Sequence, residues 1–274
     1  MDLWQLFVAV VLGIVEGLTE FAPVSSTGHM IIVDDIWLNS KELFSEPVAN
    51  TFKVVIQLGS ILAVVIIFRD RFKDLLGLDR SKTAEKKQRL SLTKVIVGLI
   101  PAGVLGLAFE DYIDEYLFSV ETVIIGLVLG AVLMLIADYF TKKKPHIDTV
   151  DQMTYKQALG MGLFQCLGLW PGFSRSGSTI AGGVLLKMSH KSAADFTFIM
   201  AVPIMLGASG LSLLKNWQYI TVDALPFFVV GFISAFVVAL VVVKFFLKLI
   251  DKIKLVPFAI YRIVLAALIF VIYL

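Results

Sequence analysis

The chain has 274 residues, of which 58% are hydrophobic and only 17% are charged, and its formal net charge is +2. Soluble domains are about 45–50% apolar and about 25% charged, so this composition excludes an ordinary soluble protein and an intrinsically disordered one. The one cysteine, Cys166, excludes an internal disulfide. Because the apolar residues fall in long blocks, the sequence predicts an all-α polytopic membrane protein.

The first apolar block, residues 3–15, is too short to cross a bilayer, whose core requires about 20 residues of helix. Glu16, Glu20 and Pro23 follow it. The two glutamates are four residues apart and would share one face of a helix, which Pro23 would end. An interrupted block of this kind predicts a re-entrant helical hairpin, which the membrane tolerates only where protein or a water-filled cavity covers the backbone.

Small hydroxyl side chains follow Pro23 at Ser25, Ser26 and Thr27. These residue types are favourable N-caps, and the first N–H groups of a helix attract anions. His29 follows Ser26 within about one helical turn, close enough to act on the same ligand. The segment therefore predicts an anion site with a hydroxyl group and an imidazole beside it.

Six further apolar segments are predicted to span the membrane. They are residues 54–68, 95–109, 117–137, 196–214, 224–243 and 255–274. Lys53, at the start of the first of them, is expected to snorkel towards the membrane surface. Arg262 lies inside the last, where an internal ion pair or a snorkelling position is expected.

The charged residues between these spans predict the orientation of the chain. Residues 69–94, 141–156 and 244–254 are rich in lysine and arginine and are predicted to face the cytoplasm. Residues 34–50 and 110–115 are acidic and are predicted to face outwards. With six spans, both termini are then predicted to lie outside.

A second interrupted block, residues 158–173, ends in Pro171 and Gly172 and predicts a second re-entrant hairpin. Arg175 follows, and its guanidinium group among hydroxyl side chains matches the oxygens of a phosphate. Those hydroxyl groups belong to Ser174, Ser176, Ser178 and Thr179. Placing the charged side chains of Arg175 and the two glutamates at the bilayer centre would cost about 9 kcal/mol of free energy. These side chains must therefore be paired, hydrated or bound to a ligand. A purely structural ion-pair network is the alternative.

The two interrupted blocks resemble each other. Residues 13–16 match 162–165, and at the same offset Ser25 matches Ser174. With the opposite orientations deduced above, this match predicts an inverted-topology repeat whose site lies between the repeats. The repeats are predicted at residues 1–140 and 141–274, each a re-entrant hairpin plus three spans, in one integral membrane domain. Gln165 takes the place of Glu16 in the second repeat, so one active site is expected rather than two.

Three motifs carry a family resemblance. They are Glu16-x-x-x-Glu20, Pro23-Val-Ser-Ser-Thr-Gly-His29 and Pro171-Gly-Phe-Ser-Arg-Ser176. With them the chain resembles the undecaprenyl-diphosphatase (bacitracin-resistance protein) family over essentially its whole length. The resemblance implies removal of the terminal phosphate of undecaprenyl diphosphate at the outer face of the bacterial plasma (inner) membrane. This reaction recycles the lipid carrier of peptidoglycan synthesis, and the family confers bacitracin resistance.

The resemblance implies that Arg175 binds the diphosphate. The hydroxyl side chains expected to help are those of Ser25, Thr27, Ser174, Ser176 and Thr179. The expected partners are the polyprenyl diphosphate lipid and the surrounding membrane lipids. A homodimer is compatible with the sequence, and no nucleic acid is expected.

Catalytic roles follow from the same resemblance. Ser26 is expected to be the nucleophile or the closest phosphate ligand, and His29 its base or the nucleophile itself. Glu20, with Glu16, is expected to hold a divalent cation, Mg²⁺ or Ca²⁺, or to orient His29. The sequence leaves the choice of nucleophile open.

A transporter or lipid flippase is the competing prediction. Inverted repeats with broken helices are the usual architecture of transporters, and a polyprenyl phosphate could be the cargo. A carrier needs Arg175 to bind an anion, but it has no need of Ser26 and His29 beside it. These two residues therefore separate the hypotheses.

Overall fold

A computed structural model describes residues 2–78, 89–141 and 145–273. Within these ranges the secondary structure is helical and no strand forms, apart from an isolated bridge between Ile147 and Met188. The all-α prediction is therefore confirmed. Residues 79–88 and 142–144, which belong to two of the predicted basic linkers, lie outside the described residues, as does Leu274.

Short and long helices alternate in the first half of the chain. They are α1 (Leu3–Thr19), α2 (Ser26–Met30), a π-helical continuation (Ile31–Leu38), α3 (Ser40–Leu43), α4 (Glu46–Ile67), α5 (Arg69–Leu75), α6 (Leu92–Ala108), α7 (Glu110–Tyr116) and α8 (Val120–Phe140). Helix α1 begins in a capping box in which Asp2 and Gln5 bond each other's backbone N–H groups, and it ends shortly before Pro23.

The second half also combines short and long helices. Its elements are a 3₁₀ turn (Val150–Gln152), α9 (Tyr155–Leu167), α10 (Arg175–Leu185), α11 (His190–Asn216), a second 3₁₀ turn (Trp217–Tyr219), α12 (Leu225–Ile253) and α13 (Val256–Tyr273). Helix α9 also begins in a capping box, formed by Thr154 and Gln157.

Five helices of the described chain are long and apolar enough to cross a membrane: α4, α8, α11 with the 3₁₀ turn after it, α12 and α13. Their outward faces carry exposed apolar side chains such as Val241, Phe245 and Val271. A multi-pass membrane protein is therefore supported by the structure. Helix α6, which covers residues 95–108 of the predicted span 95–109, has 17 residues with Pro101 inside it and is shorter than these five.

The two short apolar arms pack in equivalent ways. Helix α1 lies against α12 so closely that a Cβ atom on Gly13 would collide with the carbonyl oxygen of Gly231. Helix α9 lies against α6, and a Cβ atom on Gly162 would collide with the carbonyl oxygen of Gly98. Only glycine permits such close contact of two backbones, which is a common way for helices to associate in membranes.

The two chain breaks also share one backbone geometry. Ser25, before α2, has φ 72° and ψ 100°, and Ser174, before α10, has φ 70° and ψ 111°. Each serine hydroxyl accepts a hydrogen bond from the N–H group three residues later, at 3.4 Å from Gly28 and 3.2 Å from Gly177. The breaks therefore present the starts of α2 and α10 in the same way.

A buried aromatic cluster packs beneath the breaks. Phe198 of α11 contacts Phe21 edge-to-face at 5.1 Å, and it also contacts Phe68 and Phe246 of neighbouring helices. Aromatic pairs of this kind contribute about 0.5–1.5 kcal/mol beyond the area they bury. The cluster fixes the position of Phe21, which is the residue after Glu20.

Candidate functional site

An ion pair joins the two chain breaks. Arg175, the first residue of α10, donates a hydrogen bond from Nη2 to Oε1 of Glu20 at 3.0 Å. Both side chains are largely buried, and the guanidinium group lies over the ring of Phe21 with Cζ 5.9 Å from the ring centroid. A buried charge needs such a partner, so the pair meets the requirement that the sequence set for Arg175 and Glu20.

The second oxygen of Glu20 binds Ser26. The Ser26 hydroxyl donates to Glu20 Oε2 at 2.7 Å, the short distance typical of a hydrogen bond to a carboxylate. Glu20 therefore connects Arg175 of the second half with Ser26 of the first half, using one oxygen for each. A carboxylate in this position can accept the Ser26 proton, which is the requirement for a general base.

The His29 ring is paired with groups other than Ser26. Its Nδ1 lies 2.7 Å from the carbonyl oxygen of Ser25, and its Nε2 lies 2.7 Å from the hydroxyl of Tyr261 in α13. A carbonyl oxygen can only accept, so Nδ1 carries the proton and neutral Nε2 accepts from Tyr261. The expectation that His29 acts as the base for Ser26 stays a prediction, since in this structure the imidazole is hydrogen-bonded to Ser25 and to Tyr261 of α13.

The predicted hydroxyl ligands divide into two groups. Ser25, Thr27 and Ser174 line a cavity beside Arg175. Ser176 and Thr179 are buried and bind backbone: the Ser176 hydroxyl donates to the carbonyl of Ala22, and that of Thr179 donates to the carbonyl of Arg175. The structure thus brings the first group to the cavity. In the second group Ser176 joins the two breaks, whereas Thr179 bonds only within α10.

Two cavities meet at Ser26. The narrower one, of about 260 Å³, is lined by Glu20, Ser26, Arg175 and Gln165 among others. The wider one, of about 960 Å³, is lined by Glu16, Ser26 and residues of the acidic segment 34–50. Thr27 and Gln57 border both cavities. Ser26 therefore has access to both.

Several polar atoms beside the cavities are buried without a hydrogen-bond partner. They are Oε1 of Glu16, Nη1 of Arg175, and both Oε1 and Nε2 of Gln165. Leaving a buried polar group unpaired costs about 1–3 kcal/mol, and more for a charged one. Unpaired atoms that border a cavity are therefore the atoms that a bound ligand would contact.

Glu16 and Glu20 are the candidate metal ligands. In the described chain no cluster of three or more histidine, cysteine, aspartate or glutamate side chains could hold a metal ion by itself. Carboxylate oxygens are nevertheless the ligands that Mg²⁺ and Ca²⁺ prefer, and Mg²⁺ is commonly held by one or two carboxylates plus substrate phosphates. The unpaired Oε1 of Glu16 fits that arrangement.

Arg262 is fully buried and binds neutral backbone groups. Its Nη2 donates to the carbonyl oxygens of Gly172 at 2.9 Å and Gly126 at 3.2 Å. The predicted ion pair or snorkelling position was wrong, because the glycine-rich contact of α8 with the second break exposes carbonyl groups to the guanidinium. A Cβ atom on Gly130 would collide with this guanidinium group. Arg262 thus fixes the turn that leads to Arg175.

Sequence reasoning missed several residues of the site. Gln57 is a large polar side chain inside the predicted span 54–68, and that position could have indicated it. Lys53 has a partner that the sequence did not indicate: its Nζ lies 2.8 Å from the buried carboxylate of Asp34, and it lines the wider cavity. Tyr261 carries no local signal, because its partner His29 is distant in the chain.

Comparison with known proteins shows a full-length similarity. The family model of bacitracin resistance protein BacA matches residues 9–268. An undecaprenyl-diphosphatase of Geobacillus sp. (strain WCH70) is 71% identical over 273 residues, which is 100% of both chains. Those of Bacillus subtilis (strain 168) and Exiguobacterium sibiricum are 67% and 61% identical, each over 99% of both chains.

Proposed function

This chain belongs to the bacitracin resistance protein BacA family, and from that premise we propose that it hydrolyses undecaprenyl diphosphate to undecaprenyl phosphate and inorganic phosphate. It is a membrane-bound phosphatase, and it confers bacitracin resistance by recycling the lipid carrier for peptidoglycan synthesis. The observation that carries the proposal is the chain of contacts from Arg175 through Glu20 to Ser26.

The narrower cavity binds the phosphate to be removed. Arg175 has an unpaired Nη1 there, and the hydroxyl groups of Ser25, Thr27 and Ser174 lie on the same wall. These donors match phosphate oxygens, and they stabilise the charge that the transferred phosphoryl group develops. Apolar side chains such as Leu169 and Ile204 complete the wall.

Ser26 is the nucleophile in this proposal. Its oxygen attacks the terminal phosphorus while its proton passes to Oε2 of Glu20, and the bond to the bridging oxygen breaks, so that undecaprenyl phosphate leaves. Water then cleaves the phosphoserine, which releases inorganic phosphate and restores the serine hydroxyl. Both ring nitrogens of His29 have other partners, so His29 is a positioning residue that holds the turn at Ser25.

A divalent cation, Mg²⁺ or Ca²⁺, is the proposed cofactor. Glu16 would hold it through the unpaired Oε1, with Glu20 nearby. When bound, such an ion neutralises charge on phosphate oxygens. Glu20 already contacts Arg175 and Ser26 through both of its oxygens, so Glu16 is the primary ligand.

We infer the membrane arrangement from the same features. Six spans, with α6 as the shortest, and two re-entrant hairpins form an inverted repeat over residues 1–140 and 141–274. The equal serine caps and the equal glycine contacts of α1 and α9 support it. The wider cavity reaches segment 34–50, which carries the charge of an outer loop, and this favours a site open to the outer face of the bacterial plasma membrane with both termini outside.

Phosphate release tests the function. Purified protein in detergent should release phosphate from undecaprenyl or farnesyl diphosphate, and Ser26→Ala and Arg175→Ala should each lose activity by at least about a hundredfold. Ser60→Ala, which removes a buried hydroxyl on α4 outside both cavities, is the control and should keep activity. A folded wild type without turnover would favour the flippase, which lipid translocation in liposomes would then test.

A further inference from the structure

We propose that Gln165 is a further substrate-binding residue, whose side-chain amide donates a hydrogen bond to an oxygen of the phosphate held by Arg175. This inference rests on the proposed phosphatase function and adds to it. It assigns to α9 a direct role in binding the diphosphate.

The surroundings of Gln165 indicate a ligand. The side chain is 1% exposed, and neither its Oε1 nor its Nε2 has a hydrogen-bond partner. It borders the cavity of about 260 Å³ together with Arg175, Ser26 and Ser174. Arg175 has its own unpaired nitrogen, Nη1, in the same site. Two residues that line one cavity therefore each carry a buried donor without an acceptor, and a phosphate would supply acceptors to both.

The backbone that carries Gln165 is firmly held. Helix α9 starts in the capping box of Thr154 and Gln157, and it packs backbone to backbone on α6 at Gly162, less than one turn before Gln165. The amide group is therefore positioned before a ligand arrives, which lowers the entropy lost on binding.

This role requires the uncharged amide side chain of Gln165. It corresponds to Glu16 of the first half, but Glu16 borders the wider cavity, whereas Gln165 borders the narrower one. A carboxylate at position 165 would repel both Glu20 and an anionic phosphate. The two halves thus differ in ligand: the glutamate suits a cation, and the glutamine suits an anion.

Steady-state kinetics of two variants tests the inference. Gln165→Met keeps the side-chain length and removes both polar atoms, and it should raise KM for farnesyl diphosphate about tenfold or more with a smaller change in kcat. Gln165→Glu keeps the shape and adds charge, so its KM should rise further as pH increases and the introduced carboxyl group ionises. A purely structural role would give no pH-dependent KM.

Gln157→Met is the matched control, since it removes an amide from the same helix outside the cavity. It should weaken the start of α9 and lower the unfolding temperature, but leave KM unchanged. Unchanged KM in folded Gln165→Met would overturn the inference. If that variant does not fold, the isosteric Gln165→Glu decides, and a KM equal to that of wild type at every pH would overturn it. Absence of turnover in wild type would instead refute the phosphatase function.

Discussion

Glu20 is the residue on which the other contacts of the site depend, because each of its oxygens has a separate partner. Oε1 orients the guanidinium group of Arg175, and Oε2 orients the hydroxyl of Ser26. In the proposed mechanism a change at Glu20 should therefore affect anion binding and proton transfer together, whereas a change at either partner should affect mainly one of them.

Glu20→Gln should reduce kcat by about a hundredfold to ten-thousandfold, the range that general-base catalysis contributes. The amide retains the size of the side chain but cannot accept the Ser26 proton. The rate of phosphate release by purified wild type and Glu20→Gln at saturating substrate gives this change in kcat. Activity within a factor of about two of wild type would exclude Glu20 as the proton acceptor.

Glu16→Gln should mainly change the cation requirement. Loss of one carboxylate ligand should raise the Mg²⁺ or Ca²⁺ concentration for half-maximal activity by about tenfold to a hundredfold. Titration of chelator-treated protein with each ion gives this value. An unchanged cation dependence would show that Glu16 does not hold the ion.

Arg262→Met should lower kcat although the residue contacts neither cavity directly. The substitution leaves the carbonyl of Gly172 without its donor and frees the turn before Arg175. Arg262→Lys, which can still donate one hydrogen bond, should restore part of the activity. Full activity in Arg262→Met would show that the turn is held by other contacts.

At the level of the helices, the close contact of α1 with α12 gives a packing prediction. Gly13→Ala should lower the free energy of unfolding by about 1–3 kcal/mol, because the added methyl group collides with backbone that cannot move locally. Gly207→Ala in α11 is the control, since no atom of the described chain lies within 4 Å of its added Cβ. Thermal unfolding in detergent compares them, and equal stability would contradict the packing.

Sequence patterns predicted the helix breaks better than the helix lengths. Pro23 and Pro171 marked both breaks, because proline and the serine caps act locally. The helices that correspond to the predicted spans 196–214 and 224–243 extend beyond them, as His190–Asn216 and Leu225–Ile253. Hydropathy ends where charged residues begin, but helical hydrogen bonding continues through lysine and aspartate into water.

The site was predictable by residue type but not by pairing. Glu20, Ser26 and Arg175 belong to residue types that bind phosphate, and their motifs indicated a shared site. The contacts of His29 with Tyr261 and of Arg262 with Gly172 join separate elements, and they depend on where α13 packs. No local pattern encodes that position.

For the molecule as a whole, one aspartate links three segments at the face predicted to be cytoplasmic. Asp151 accepts two hydrogen bonds from Arg71, at 2.7 and 2.8 Å, and one from the N–H group of Leu90. Burial alone would raise the pKa of Asp151, but these hydrogen bonds and the charges of Arg71 and Arg89 hold its pKa below the ordinary value.

This link predicts acid sensitivity. A carboxyl group with a lowered folded-state pKa contributes stability above its unfolded pKa of about 3.9, and that contribution disappears as pH falls through the folded pKa. Between about pH 6 and pH 3 the unfolding temperature of wild type should therefore fall by more than that of Asp151→Asn. Asp70→Asn, at an exposed aspartate of α5, should follow wild type. Parallel curves for wild type and Asp151→Asn would contradict the link.

Arg262 has a consequence for the order of binding and release. Its direct partners are carbonyl dipoles, and among the described residues no carboxylate contacts it to cancel its charge. Gly172, whose carbonyl group accepts a hydrogen bond from Arg262, forms part of the wall of the narrower cavity. A positive charge without a counter-ion attracts a lipid headgroup more strongly when that headgroup carries more negative charge. A lipid diphosphate carries more negative charge than the monophosphate left after cleavage, so in the proposed reaction this guanidinium group should attract the product less strongly than the substrate.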